Sequence, residues 1–388
     1  MIRFLTAGES HGPAEVAILE GIPAGLSLVH HDIQKELEKR KSGAGRGGRG
    51  KIESDTVKIL SGVRNGKTLG SPIALLVDNM DHDNWNEKMS IEPLTSEGVK
   101  LKHLTNPRPG HADLAGVIKY HFDDVRSVLE RASARETVMR VAVGAICKKL
   151  LAEFKMLIAS HTVQIGKVIL EAEERDFHKI VSVDQTDPDI RCIEMNTSKR
   201  MKQAIIDATM SKDTLGGVIE VIASRVPAGL GSYVHYDRKL DGLIAGALMS
   251  IPSVKAVEIG TGVANASDLG SDVHDEIISD GHNIRRKTNR AGGLEGGVTN
   301  GENVVVRVYH KPLSSLGSPL NTIDLKTKKA AKALLERSDI CVIPRAGVIS
   351  EAMLSFVLAN SFLEKFGGDS MAEINGNYLS YLGNLRNL

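Results

Sequence analysis

Residues 12–26 read GPAEVAILEGIPAGL, and the same cadence returns at residues 216–230 as GGVIEVIASRVPAGL. In each segment an apolar run of strand length is closed by Pro-Ala-Gly, a turn signal. A helical pattern follows each, at 32–41 after the first and at 240–249 after the second. If the pair reflects duplication, the chain uses one strand–turn–helix plan twice, in two interlocked halves at about 1–210 and 211–388 rather than as two separate beads. The match is short, and convergence on a turn motif accounts for it as well as internal duplication does.

Working outward, residues 1–8 (MIRFLTAG) read as a strand. Residues 51–63 and 69–77 read as a strand pair, with Asn65-Gly66 as the hairpin turn. Residues 114–154 are helical in period, with a break at 127–135. Residues 218–226 and 304–309 suit strands, while 326–337 and 350–366 carry helical spacing.

The 388 residues are 41% apolar and 25% charged, ordinary values for a globular chain, with a net charge of +1. A protein that wraps a long polyanion carries a basic excess, so this balance excludes bulk nucleic-acid binding and confines the cations to local clefts. Cys147, Cys192 and Cys341 form no CxxC, and neither a disulfide framework nor a metal site is indicated. Aromatic residues are 4%, with Trp85 the single tryptophan, so platforms for stacking bases are few. The opening residues have no leader pattern and no uncharged apolar run approaches ~18 residues, so a cytoplasmic protein without a membrane segment is expected.

Five segments concentrate chemistry. Residues 40–51 read RKSGAGRGGRGK, with five cations and five glycines. Arginine forks fit carboxylate and phosphate, and glycine lets a backbone approach a ligand. Two overlapping GxGxxG matches occur here, but a charged helix precedes and a strand follows, the reverse of a dinucleotide-binding unit. The composition also resembles RNA-binding glycine–arginine segments, although it occurs once and lacks aromatics. GESHG (8–12) puts His11 just after a strand, where functional groups project. NPRPGHAD (106–113) stiffens the chain around Arg108 and frees it before His111; a plain helix-initiating turn is the alternative. RSVLERASARETVMR (126–140) carries four arginines. Arg131 and Arg135 are spaced to share a helix face, with Ser133 between them and Glu130 and Glu136 as candidate partners. GGLEGGVTNG (292–301) is a second glycine cluster. Lys311, Ser314 and Ser315 then follow a strand in a pattern suited to a terminal phosphate.

Together GESHG, GRGGR, RPGHAD, LERASARET, GGLEGGVTNG and ERSD (336–339), in this order, resemble the chorismate synthase family over residues 2–365. The resemblance implies an α+β fold, a β–α–β sandwich with a helical layer between antiparallel sheets, and a homotetramer. It implies conversion of 5-enolpyruvylshikimate 3-phosphate to chorismate by elimination of phosphate and a ring proton, with reduced FMN and no net redox change. By resemblance, Arg40, Arg46, Arg49, Arg108, Arg135 and Arg337, with Ser10 and Ser133, hold the substrate's anionic groups. His11 would protonate the departing phosphate, His111 would lie against the flavin, and Asp339 would help the C6 proton leave. FMN would be held by Arg131, Ala132, Ser133, Pro252, Ser253, Gly296, Lys311, Pro312, Leu313, Ser314, Ser315 and Arg337. Any NADP would overlap the substrate site at Arg40 and Arg46. The long insertions of the bifunctional fungal forms are absent, which favours an outside source of reduced flavin. Four positions depart from the family pattern: Pro252, Ser253, Ser315 and Arg345, the last expected on the surface. An RNA-binding module and a structural subunit organiser are the competing classes. The first rests on residues 40–51 alone, and the second leaves His11, His111 and Asp339 without roles.

Overall fold

Val304–His310 alternates buried and half-buried residues along VVVRVYH, as a strand with one apolar face does. It joins a five-stranded antiparallel sheet in the order Val254–Ile259, Val304–His310, Gly217–Ser224, Leu157–Ile165, Val168–Ile169. The central strand Gly217–Ser224 is buried on both faces; Ile222 and Ala159 pack against Ile180 of the helix Phe177–Thr186 on the outer side. A four-stranded antiparallel sheet runs Arg3–Ala7, Ala14–Glu20, Ile73–Asp78, Val57–Ile59. The computed structural model describes residues 1–47, 54–93, 103–171, 176–279, 281, 284–336 and 338–385. Arg49, Arg337 and residues 51–53 of the expected first hairpin strand lie outside the described residues.

Between the sheets lie the helices Thr137–Glu153 and Ile343–Phe366, and their side chains join both sheets in one apolar core. A helix apolar all round belongs in such a layer, and Ile343–Phe366 is of that kind. By length and composition it would cross a membrane, but 83% of its apolar window is buried inside the protein. Pro344 starts it where a missing N–H costs nothing. The two helices meet at Gly144, where a Cβ would stand 2.3 Å from that of Ala352. The expected β–α–β layering and antiparallel sheets are therefore what the chain forms.

The two Pro-Ala-Gly-Leu turns are held by the same four bonds. Thr68 Oγ1 donates to Pro23 O (2.6 Å) and accepts from Leu26 N (3.0 Å), and its backbone pairs with Gly25 and Leu26. Thr299 Oγ1 donates to Pro227 O (2.7 Å) and accepts from Leu230 N (2.8 Å), and its backbone pairs with Gly229 and Leu230. Each threonine ends a two-stranded hairpin, Val63–Arg64 with Lys67–Thr68 and Leu294–Glu295 with Val298–Thr299. The first hairpin turns at Asn65-Gly66, both at positive φ, as the motif predicts. The helix Met371–Leu385 spans both turns. Ala24 bonds to Asp369 and Met371 at its start, and Tyr381 OH donates to Ala228 O.

Two expectations fail. The helix expected at 326–337 does not form over its described residues 326–336; Asn321–Ile323 pairs with Ala330–Lys332 as a hairpin. Asp324 accepts from the N–H groups of Lys326 and Thr327, a local side-chain turn that competes with the helix. In 114–154 the break is wider than expected, leaving helices Asp113–Tyr120, Arg126–Leu129 and Thr137–Glu153. Arg131 and Arg135 therefore share no helix face, because Ser133 between them is extended.

Candidate active site

Both central helices begin at one cavity of about 460 Å³. It is walled also by the loops after Arg3–Ala7 and Val304–His310 and the turn before Val254–Ile259. Helix N-termini and strand-end loops are where anions and reactive groups gather. The sequence-predicted residues Ser10, His11, Arg40, Arg46, Arg108, His111, Ala132, Ser133, Arg135, Pro252, Ser253, Asp339 and the whole run Lys311, Pro312, Leu313, Ser314, Ser315 line it. Arg131 and Gly296 do not. Arg131 turns to Thr6 and the Gly8 carbonyl, and Gly296 caps the hairpin that carries Thr299.

Each motif histidine is backed by a buried carboxylate. His11 Nδ1 lies 2.9 Å from Glu130 Oε2, and the His11 backbone N–H donates to the same oxygen. Its ring stacks on Trp85 at 3.8 Å between centroids. Arg126 also donates to Glu130 (2.7 Å). Burial pushes the Glu130 carboxyl up, but His11 and Arg126 outweigh it and hold it below its ordinary value. His111 Nδ1 lies 2.5 Å from Asp113 Oδ1. Arg108 donates to both Asp113 oxygens (2.8 and 3.1 Å) and to Ser315 Oγ (2.8 Å). With burial opposing, these bonds hold Asp113 well below the usual carboxylate range. In both pairs the carboxylate makes Nδ1 the donor; Nε2 of His11 is left for a ligand, while Nε2 of His111 lies 3.4 Å from Arg108 Nη2.

Among the described residues the cavity wall carries seven cationic side chains, Lys41, Lys311 and five arginines, against Asp55, Glu336 and Asp339. Asp55 is buried between Arg135 Nη1 and Arg40 Nη1. Burial, with Arg135 and Arg345 beside it, pulls Arg40 down to about 10 despite Asp55. Such a surplus of desolvated cations is relieved by an anionic occupant. Arg135 takes Asp55 rather than Glu130 or Glu136; the latter pairs with Arg140. Asp339 Oδ1 accepts from Gly47 N (2.7 Å) and Oδ2 from Arg345 Nη1 (2.5 Å). Arg345, expected on the surface, is thus turned into the cavity because Asp339 and the helix start hold it there.

Asp55, Arg345 and His310 were missed as site residues. Asp55 sits in an unremarkable strand approach, and nothing local marks it. His310 continues an alternating buried pattern and reads as core. Arg345 follows the proline that begins a helix, which was a usable signal for a residue at a helix start. Among the described residues no cluster of three or more potential ligands could hold a metal ion, and the three cysteines are buried and unpaired with one another.

A family model described as chorismate synthase matches residues 2–363. The chain is 50% identical to "Chorismate synthase" of Syntrophotalea carbinolica over 98% of its own length and 97% of that protein's. It is 50% identical to "Chorismate synthase 1" of Bacillus cereus, with 97% of each covered. A solved structure titled "Crystal Structure of Chorismate Synthase" is similar at a TM-score of 0.80 and 41% identity, covering 100% of this chain and 99% of the other.

Proposed function

The chain belongs to the chorismate synthase family, and we propose that the cavity is where it performs that family's phospholyase reaction on 5-enolpyruvylshikimate 3-phosphate. The observation that carries this is the excess, among the described residues, of seven cations over three carboxylates around two carboxylate-backed histidines. The substrate brings two carboxylates and a phosphate, the charge this wall lacks. Arg40, Arg46, Arg108 and Arg135, with Ser10 and Ser133, are its anion clamp; Arg49 and Arg337 belong to the same set by family resemblance.

As the imidazolium, protonated on both nitrogens, His11 gives its Nε2 proton to the departing phosphate and keeps the Nδ1 proton, while Glu130 stabilises and orients the ring. Asp339, held by Gly47 and Arg345, stands by for the proton leaving the ring carbon. His111, fixed by Asp113 and Arg108, would lie against the cofactor. The donor-rich wall fits a phosphorylated, hydrogen-bonding ring system, and reduced FMN would supply electron density to the breaking C–O bond. Ala132, Ser133, Pro252, Ser253, Lys311, Pro312, Leu313, Ser314 and Ser315 would hold it, with Arg131, Gly296 and Arg337 carried by resemblance alone. The remaining parts of the reading are a cytoplasmic homotetramer, an external flavin reductant and internal duplication. The matching bonds of Thr68 and Thr299 support the last. The RNA-binding alternative loses its support, since Arg40 and Arg46 line the cavity.

The test is anaerobic protein with reduced FMN and the enolpyruvyl substrate, following phosphate release. Stoichiometric phosphate and chorismate are expected; folded protein that releases neither refutes the reading. Bleaching of FMN by NADPH without added reductase would overturn the external-reductant part alone.

A further inference from the structure

The inward face of Val304–His310 is apolar at Val304, Val306 and Val308, and then carries the imidazole of His310, only 5% exposed. Burial pushes this histidine down to about 4, so the ring is neutral near pH 7 and has one N–H and one bare nitrogen. Nδ1 lies 3.0 Å from Ser253 Oγ. Nε2 is buried and meets no hydrogen-bond partner. A buried polar atom left in this way destabilises the fold, and the ring lines the cavity beside Ile251, Pro252, Ser253 and Lys311.

Ser253 is itself held against its preference. Its φ is +72°, a region unfavourable for a residue with a Cβ. Its carbonyl is pinned by Lys311 N–H (2.9 Å), and the strand that follows pairs Val254 with His310. The serine hydroxyl therefore has a fixed place opposite Nδ1. With that hydroxyl donating to Nδ1, the ring proton resides on Nε2. A neutral donor beside the flat apolar wall of Ile251 and Pro252 suits a ring carbonyl or ring nitrogen rather than a phosphate, for which the cations serve.

Resting on the flavin reading above, we propose that His310, oriented by Ser253, is a further flavin-binding residue that donates from Nε2 to an acceptor atom of the isoalloxazine ring. No family motif in the sequence marks it.

The experiment titrates the purified chain with oxidised FMN, reading flavin fluorescence and the bound-flavin absorption spectrum, and measures the melting temperature without FMN. His310→Phe is expected to weaken FMN binding about 2- to 12-fold, the range of one net hydrogen bond. It should also alter the bound spectrum and leave the FMN-free melting temperature equal or higher, because the orphaned nitrogen is gone. His310→Gln, which keeps an amide donor, should recover most of the affinity. Ser253→Ala should give a smaller loss with the same spectral change. A His310→Phe protein with wild-type affinity and spectrum overturns the proposal, as does one that only raises the KM for the phosphorylated substrate. Should the phenylalanine variant not fold, wild-type affinity and spectrum in Ser253→Ala overturn it equally. Wild-type protein that binds no FMN sinks the flavin reading, and the proposal with it.

Discussion

At the scale of single residues, His11 can be removed without breaking the site that holds it. Glu130 keeps Arg126 at 2.7 Å, so His11→Ala leaves no buried carboxylate unpaired. Loss of general-acid help alone should slow phosphate release by about 10²–10⁴-fold, with FMN affinity unchanged. Rapid-quench phosphate release beside an FMN titration checks it; unchanged turnover removes His11 from the role. Residues flanked by glycine and proline, such as His11, Arg108 and His111, were legible because those neighbours announce a functional turn. Asp55 and His310 were not, whereas Arg345 was marked by its place at a proline-led helix start and meets Asp339 only six residues away. The significance of the first two comes from partners distant in sequence: Arg135 for Asp55 and a cavity wall for His310. Local pattern carries no information about such meetings.

At the scale of elements, the threonine-held turns give a matched pair of expectations. Both hydroxyls are buried, each bridging a carbonyl and an N–H of its turn. Thr68→Val and Thr299→Val each strand those two backbone groups, and each should cost about 1–3 kcal/mol, seen as a lowered denaturant midpoint. Serine at either position should restore most of it. Valine variants as stable as the parent would mean the turns are held by their backbone pairs alone. The turn motif and Asn65-Gly66 were readable because their chemistry is local. The 326–337 segment misled for a related reason: its helical period is genuine, but the Asp324 side chain satisfies the first N–H groups in a turn before a helix can start. The helix expected from Ser350 begins at Ile343, since the first turn carries Arg345 and breaks the apolar count.

At the scale of the whole molecule, charge is threaded through the helical core. Glu351 accepts from Ser160 (2.7 Å), Arg191 (2.8 Å) and Lys148 (2.5 Å), and Lys148 reaches on to Glu36 (3.2 Å). Burial pushes Glu351 up, yet Lys148, Arg191 and Lys39 prevail and hold it well below the usual carboxylate range. Its contribution is therefore full above the unfolded value of about 4.3 and is lost as pH falls through the folded value. Glu351→Gln leaves Lys148 and Arg191 short of a counter-charge and should cost about 3–5 kcal/mol at pH 7. Denaturation curves from pH 7 to 2 should show that gap narrowing with acid; a constant gap would mean the carboxylate is not ionised in the fold. The layering itself was not legible from residue pattern, because an apolar helix and a twice-used strand plan are compatible with several stackings; only the family resemblance pointed to the sandwich. The helix Met371–Leu385, bonded to Ala24 at one end and to Ala228 farther along, carries a consequence for biosynthesis. At roughly 5–20 residues per second, the ribosome emits Ala24 on the order of tens of seconds before its partners at 369 and 371. Throughout that interval the first turn lacks its clasp, so the nascent chain completes its earliest-made corner only when translation is nearly over.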